Sequence, residues 1–298
     1  MSLNHESVRQ SPNNQFKKYL EVTKPRVWIL LVFIAFSSYI IAAFPSINYV
    51  IMVVMVVAVT LGSASANTLT CYLDRDIDTL MERTRNRPIP SKQIFPASKS
   101  LYYGLSLGIF SVILSFVISP LIALLMFIGL FDNIIVYSKI FKRISPFNII
   151  LGGFSGGIPV LIGYASFTNI IDLTSIILAG LVVIWIPTHI WSLALYYKDD
   201  YARAKIPMLP VLISENKAIR CIALTSLILI ILSVFPYFLN MFGIFYLFFI
   251  VIIDGVMVAL NLWLIMKPLK KRAWLVYKIS SPYLALLFVA MMIDKLLM

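Results

Sequence analysis

Charge is scarce in this chain. Asp, Glu, Lys and Arg make up 13% of its 298 residues, and only 13 residues are acidic. Hydrophobic residues reach 60% and the mean hydropathy is +0.92. A water-soluble domain of this length has no interior large enough to hide so much apolar surface, so a soluble fold is excluded and a polytopic membrane protein expected. The first twenty residues, MSLNHESVRQSPNNQFKKYL, lack the apolar core of a signal peptide. They read as an uncleaved polar tail, residues 1–22, ahead of one transmembrane domain, residues 23–298. No soluble domain and no low-complexity tract stands out.

A spanning helix needs about 20 mostly apolar residues. Stretches of that kind fall near 27–44, 48–70, 98–118, 121–138, 147–166, 173–195, 219–237, 243–265 and 275–297. The expected fold class is therefore all-α, with nine transmembrane helices. Loop charges test the count, because short cytoplasmic loops collect Lys and Arg. With the N-terminus cytoplasmic and the C-terminus external, every Lys and Arg except Lys295 falls on the cytoplasmic side. That segregation accounts for the net charge of +12 without any nucleic acid partner. The expected location is the cell membrane, multi-pass.

The two cysteines, Cys71 and Cys221, have no metal-site spacing, and their cytoplasmic side is reducing, so no structural disulfide is expected. One internal echo appears. A basic loop bearing acids follows span 2, and a second, YYKDDYARAKIPMLP, follows span 6, four helices later. The spacing suggests two related four-helix halves plus one extra helix.

The rare acids concentrate in TCYLDRDIDTLMERTRNRP, residues 70–88, beside the uncharged run from Tyr49 to Asn67. Asp74 and Asp78 are four apart, so on a helix their carboxylates share a face, with β-carbons about 5–6 Å apart. Two like charges so placed repel unless a cation joins them. Mg2+ prefers such oxygens, together with water and substrate phosphates. Asp76 falls on another face, where Arg75 or Arg83 would solvate it. Lys198, Asp199 and Asp200 close span 6 on the same side, so two acidic loops can face each other across the mouth of a bundle. With Arg83, Arg85, Arg87 and Lys142 nearby, the set describes a metal-bridged diphosphate site. The alternative is a solvated loop whose acids balance its arginines. Against it stands the position at a membrane boundary, where ionisable residues are costly and commonly functional.

Four segments carry a resemblance: TKPRV at 23–27, DRDIDTLMERTRNRPIP at 74–90, SPFNIILGGFSGGIPVLIGYAS at 145–166, and PTHIWSLALYYKDDYARAKIPMLPV at 187–211. Over nearly its whole length the chain resembles the protoheme IX farnesyltransferases (heme O synthases), a branch of the UbiA-type intramembrane prenyltransferases. The last segment is the branch-specific one. The resemblance implies nine helices around a central cavity and a reaction joining farnesyl diphosphate to heme B, with Mg2+ as cofactor. The product would be heme O, passed to a downstream heme A synthase. It implies catalytic roles for Asp74, Asp78, Asp199 and Asp200, with the metal on Asp74, Asp78 and Asp200. Diphosphate would meet Lys24, Arg83, Arg87, Lys142 and Lys198.

Two departures from the superfamily pattern stand out. Thr70 replaces an Asn four residues before Asp74, leaving Asn67, one turn earlier, as candidate support for the first motif alongside Thr70 itself. The second loop has Tyr196 where an acid of a spaced pair would fall. His189, between Pro187 and Trp191, is the sole histidine outside the tail. It is either a packing residue bonded to a carbonyl or a serine, or a heme-side residue with Trp191 as neighbour, acting as axial ligand or propionate partner. Gly152, Gly153, Gly156 and Gly157 read as a close-packing face, with Asn148 and Tyr137 as alternative substrate contacts. Asp132 and Asp254, inside spans, need partners in the bundle. Two rival functions share parts of this pattern: a UbiA-type enzyme acting on a quinone precursor or a lipid acceptor, and a secondary transporter. A transporter would gather its charges near the bilayer midplane, whereas here they gather at one edge.

Overall fold

The computed structural model describes residues 12–298, so the first part of the tail lies outside the described residues. From Pro12 the expected polar tail is already helical, as α1 (Pro12–Val22). Nine described helical stretches have the length and hydropathy to cross a bilayer, each within a few residues of its sequence-predicted span except where noted below. The chain is an integral membrane protein.

Local chemistry sets many of the helix starts. Pro25 opens α2 (Pro25–Ala43) and Pro120 opens α6 (Pro120–Phe131), positions where proline's missing N–H costs nothing. The Asn48 side chain accepts from Val50 and Ile51 N–H groups to cap α3 (Tyr49–Leu73). The short α4 (Arg75–Leu80) follows α3, and α5 (Ser98–Ile118) precedes Ser119, which caps α6. In the second half, α10 (Leu173–Tyr196) starts at a capping box of Asp172 and Ser175. It leads to the short α11 (Lys198–Arg203) and α12 (Leu209–Leu212), then to α13 (Glu215–Phe238), which Ser214 caps. The chain ends in α14 (Ile244–Met266) and α15 (Lys270–Leu297).

Two spans depart from the sequence expectation. The fourth continues from α6 through a π-helical stretch, Asp132–Phe141, into α7 (Lys142–Ile144). Lys142 and Arg143 therefore project from a helix end instead of a loop. The fifth span is broken into α8 (Asn148–Leu151) and α9 (Phe154–Thr168) at Gly152 and Gly153. Asp132 finds its partner there, accepting the Ser155 N–H at 2.9 Å. Asp254 accepts from the Tyr283 and Ser233 hydroxyls at 2.7 and 2.8 Å, so both intramembrane acids are satisfied by neutral donors.

The packing repeats as the loop spacing suggested. Helices α2, α3, α5 and α6 contact each other in sequence, and α9, α10, α13 and α14 do the same. The first helices of the two halves, α2 and α9, pack together, and α15 closes against α14, α10 and α2. A large core joins Ile34, Leu178, Met257, Leu284 and Phe288 from both halves. A second cluster, with Ile77, Met81, Trp191, Tyr201 and Met208, lies under the two acid-bearing loops and ties them together.

The glycine stripe is a packing face. A β-carbon on Gly152 would meet Tyr137, and on Gly156 it would meet Ile186. The tightest approach is at Gly163, where a β-carbon would stand 2.0 Å from the Ala35 carbonyl oxygen. Backbone cannot swing aside as a side chain can, so α2 and α9 would have to separate. Gly163→Ala is expected to lower stability by about 1–3 kcal/mol, the usual cost of overpacking. Thermal unfolding of the variant in detergent measures it, and an unchanged midpoint would mean that the α2–α9 contact is looser than described.

Candidate active site

The site begins where α3 ends. Asp74 leaves helical geometry (φ −90°, ψ 6°), yet its carbonyl accepts the Asp78 N–H at 2.8 Å, so the chain turns once and resumes as α4. This holds both acids on one short, buried turn, 4% and 3% exposed. Buried like charges require compensation. Lys142, from the end of the fourth span, pairs with Asp74 Oδ2. Arg87 Nη1 donates to both oxygens of Asp78 at 3.0 and 2.9 Å. Asp74 Oδ1 is buried with no hydrogen-bond partner.

Lys24 joins them from the start of α2. Burial lowers its pKa, opposed by nearby Cys71 and Asp78 and reinforced by Arg87 and Lys142. The same neighbourhood acts on Arg87. Burial works against its charge, but Asp78 and then Cys71 outweigh that and raise its pKa, so the guanidinium stays charged.

Asp76 takes a partner other than those expected. Arg143 grips both its oxygens at 2.8 Å and the Leu73 carbonyl at 2.9 Å, in place of Arg75 or Arg83. The Arg143 hydrogen bond holds the Asp76 carboxyl below the usual carboxylate range, with burial opposing it. Because Arg143 and Asp76 are far apart in sequence, no local signal could reveal the pair.

The second acidic loop is built differently from the expectation. Asp200 is buried, but its oxygens accept the Glu82 and Arg83 backbone N–H groups at 3.3 and 3.1 Å. It thereby braces one loop against the other. Asp199 points outward, its side chain 79% exposed, and pairs with Lys270 at 2.8 Å. That hydrogen bond lowers its pKa. Neighbours on a helix lie about 100° apart, so Asp199 and Asp200 cannot both face the bundle mouth. Lys198 donates to the Ile213 carbonyl at 3.2 Å, which ties the loop to the end of α12.

Tyr201 is the residue that sequence reasoning missed. α4 and α11 are both six residues long, with Asp74 and Tyr197 as their caps. In that register Tyr197 and Tyr201 take the cap and fourth helical positions that Asp74 and Asp78 take in the first half. Tyr201 is buried and close enough to Arg87, Lys142 and Tyr137 to act on them electrostatically. The Arg83 guanidinium lies 5.3 Å from the Tyr197 ring centre. The four-residue spacing of the two tyrosines was the available signal, masked by the more conspicuous Lys-Asp-Asp between them.

Asn67 and Thr70 lie in the last two turns of α3. The Asn67 amide donates to Ser63 O at 2.9 Å, and Thr70 Oγ1 donates to Asn67 O at 3.0 Å. Both direct their hydrogens along their own helix.

His189 lies deeper in α10, between the rings of Trp185 and Tyr277, with centroids 4.4 Å away on each side. Its Nδ1 is 2.7 Å from Ser280 Oγ. Ser280 Oγ already donates to Tyr277 O, so it accepts from Nδ1. In a neutral ring that leaves the lone pair on Nε2. This is the serine partner expected of a packing histidine. Trp191 does not share the setting. Two residues along a helix turn the side chain by about 200°, and Trp191 packs in the apolar cluster beneath the loops.

The fit to Mg2+ rests on donor chemistry. Among the described residues no three His, Cys, Asp or Glu side chains converge, so an all-protein cage is not built. Mg2+ commonly takes one or two carboxylates and completes its shell with water and substrate phosphates. Asp74, with a buried free oxygen, and Asp78, one turn away, suit that arrangement.

Two apposed loops at the mouth of a helical bundle, one of them carrying paired carboxylates and cations, define an intramembrane prenyltransferase. The chain belongs to the UbiA prenyltransferase family, whose pattern matches residues 30–288. It is 41% identical over 288 residues to a protoheme IX farnesyltransferase of Desulforudis audaxviator, covering 96% of this chain and 91% of that one. Against the Thermoplasma volcanium protoheme IX farnesyltransferase it is 42% identical, covering 95% and 99%. Against protoheme IX farnesyltransferase 1 of Picrophilus torridus it is 44% identical, covering 94% and 95%. Solved structures share the fold. One, of a digeranylgeranylglyceryl phosphate synthase, superposes with a TM-score of 0.78 at 21% identity, covering 95% and 99%. Another, a UbiA homolog from Archaeoglobus fulgidus bound to DMAPP and Mg2+, gives 0.68 at 16% identity, covering 91% and 99%.

Burial separates the structural consequences of two of these acids. The Asp76–Arg143 pair is exposed, so Asp76→Ala should cost less than about 1 kcal/mol. Asp200→Ala strands two backbone donors between the loops and should cost about 1–3 kcal/mol. Thermal unfolding of the two variants side by side checks the order; equal shifts would remove the bracing role of Asp200.

Proposed function

We propose that the chain transfers the farnesyl group of farnesyl diphosphate to the 2-vinyl group of protoheme IX, giving heme O and diphosphate. The observation that carries this reading is the full-length identity of about two residues in five to protoheme IX farnesyltransferases, in a chain whose paired acids, Asp74 and Asp78, are each matched by a cation.

In the proposed site, Asp74 and Asp78 hold Mg2+ by their carboxylate oxygens. When bound, the ion supplies positive charge to the diphosphate as it leaves. Lys142 and Arg87, which otherwise neutralise the two carboxylates, turn to phosphate oxygens, and Lys24 and Arg83 add charge from the rim. Asp200 keeps the loops apposed, and Tyr201 offers a hydroxyl beside Arg87 and Lys142. The C–O bond of the allylic diphosphate breaks, and the vinyl carbon of heme supplies the electron pair for the new C–C bond. Water then adds to the resulting carbocation next to the porphyrin and loses a proton, completing the hydroxyethylfarnesyl group. The apolar bundle keeps bulk water from the allylic cation before it is captured. His189 belongs to the heme side, with Nε2 available to the iron.

We further propose that residues 23–298 act as one prenyltransferase domain in the cell membrane, with the paired acids at the cytoplasmic face, the C-terminus external and heme O passing to a heme A synthase. Tag accessibility at the two termini tests the orientation, and labels reaching both from one side would refute it.

The reaction is tested on membranes carrying the protein, supplied with heme B, Mg2+ and farnesyl diphosphate, with modified heme identified by mass. Heme O is expected, and Asp74→Asn or Asp78→Asn should lower its yield at least about a hundredfold, roughly 3 kcal/mol of transition-state stabilisation. Asp76→Ala and Asp199→Ala should retain most of it. Prenylation of a quinone precursor with heme left unmodified would replace this reading. His189→Ala should weaken heme binding while leaving farnesyl diphosphate binding intact; unchanged heme affinity and spectrum would return His189 to packing alone.

A further inference from the structure

At the same end of the bundle as the paired acids, but on its outer surface, a groove of about 250 Å³ opens between α13 and α14. Asn216, Ile219 and Arg220 line it from α13, Ile265 lines it from α14, and Pro268 lines it from the connection that follows. None of these residues belongs to the site described above.

The groove changes character along its length. Asn216 and Arg220 are four residues apart, so they share one face of α13, and both are exposed. The next turns of that face carry Leu224 and Leu227, 57% and 50% exposed. On α14, Ile265, which lines the groove, and Leu262, three residues before it, are 47% and 54% exposed. The lip is thus polar and cationic, and the walls leading into the bilayer are apolar. Trp263 and Arg272 mark the height of the boundary, the guanidinium lying 3.9 Å from the indole ring centre. Trp and Arg commonly anchor at that level.

Arg220 is also unneutralised. Among the described residues no carboxylate pairs with it. In sequence, Lys217 follows the lining residue Asn216, Lys267 precedes the lining residue Pro268, and Lys271 stands three residues beyond it. Of the nearby acids, Asp199 is held by Lys270, and Glu215 sits in the first turn of α13, off the Asn216–Arg220 face. A guanidinium presents a fork that matches two oxygens of one phosphate, and the Asn216 amide adds a donor beside it.

We propose that this groove binds an anionic phospholipid, with the phosphate on Arg220 and Asn216 and an acyl chain along Leu224 and Leu262. Charge complementarity selects the phosphate and the surplus of lysines selects a net negative headgroup. The exposed apolar walls select a lipid over a soluble anion, because a free phosphate has nothing to lay against them. The bound lipid would link α13 to the α14–α15 connection, next to Lys270 at the start of α15, which reaches Asp199 on the second acidic loop.

Native mass spectrometry of the detergent-solubilised full chain, with phosphatidylglycerol or phosphatidylcholine added, tests the site. A phosphatidylglycerol adduct should survive activation that strips phosphatidylcholine. Arg220→Gln should lower the retained fraction about fivefold, the scale of one basic residue at an anionic surface. Arg220→Lys should fall between, keeping the charge without the fork. Lys139→Gln, an exposed cation at the same end, should retain the adduct fully, and inorganic diphosphate should not displace it. Equal retention of the two lipids, equal loss in Arg220→Gln and Lys139→Gln, or displacement by diphosphate would each overturn the assignment, the last pointing to a soluble-anion site.

Discussion

Two carboxylates at the rim of a bilayer can stay buried only if each has a cation within contact. Lys142 on Asp74 and Arg87 on Asp78 meet that requirement, and much of the surrounding architecture serves to bring them there. The fourth span extends through a π-helical stretch that carries Lys142 inward as part of a helix. The loop after α4 folds back so that Arg87 returns to the acid it follows by nine residues. Lys24 joins them from the cap of the first span, where burial lowers its pKa. Removing one cation would leave an uncompensated buried charge, a penalty of about 3–5 kcal/mol, so the ion pairs are matters of stability as well as of chemistry.

The two halves of the bundle repeat a packing order but divide the work. In the first half the turn after the second span holds acids and gathers cations. In the second half the equivalent turn presents Tyr197 and Tyr201, while its acids serve as fasteners. Asp200 holds the opposite loop by two backbone N–H groups, and Asp199 holds the start of α15 through Lys270. A repeat that duplicates a fold need not duplicate its side chains: the first loop presents paired carboxylates, and the second presents tyrosines and uses its acids in contacts with other segments.

Away from the loops, polarity is handled by neutral partners. Asp132 receives a backbone N–H at the break in the fifth span, and Asp254 receives two hydroxyls. His189 rests between two rings with a serine on Nδ1. Such partners hold polar groups in apolar surroundings without bringing in further charge. They confine the strong electrostatics to one end of the molecule.

The nine spans among the described residues and the placing of Asp74 and Asp78 on one turn were legible in the amino-acid sequence, because each depends on a local property: hydropathy over about 20 residues, or a four-residue interval on a helix. The family was legible for the same reason, since its motifs are contiguous. The identity of each charge partner was not. Arg143 reaches Asp76 across 67 residues and Lys142 reaches Asp74 across 68, while Asp200 reaches Arg83 across 117. The rotation that sends Asp199 outward, and the one that parts Trp191 from His189, depend on how α10 and α11 sit against their neighbours. Sequence spacing shows which residues share a face of one helix; only the packed bundle decides which face meets which partner, because contacts between distant segments follow from the joint fit of all the helices.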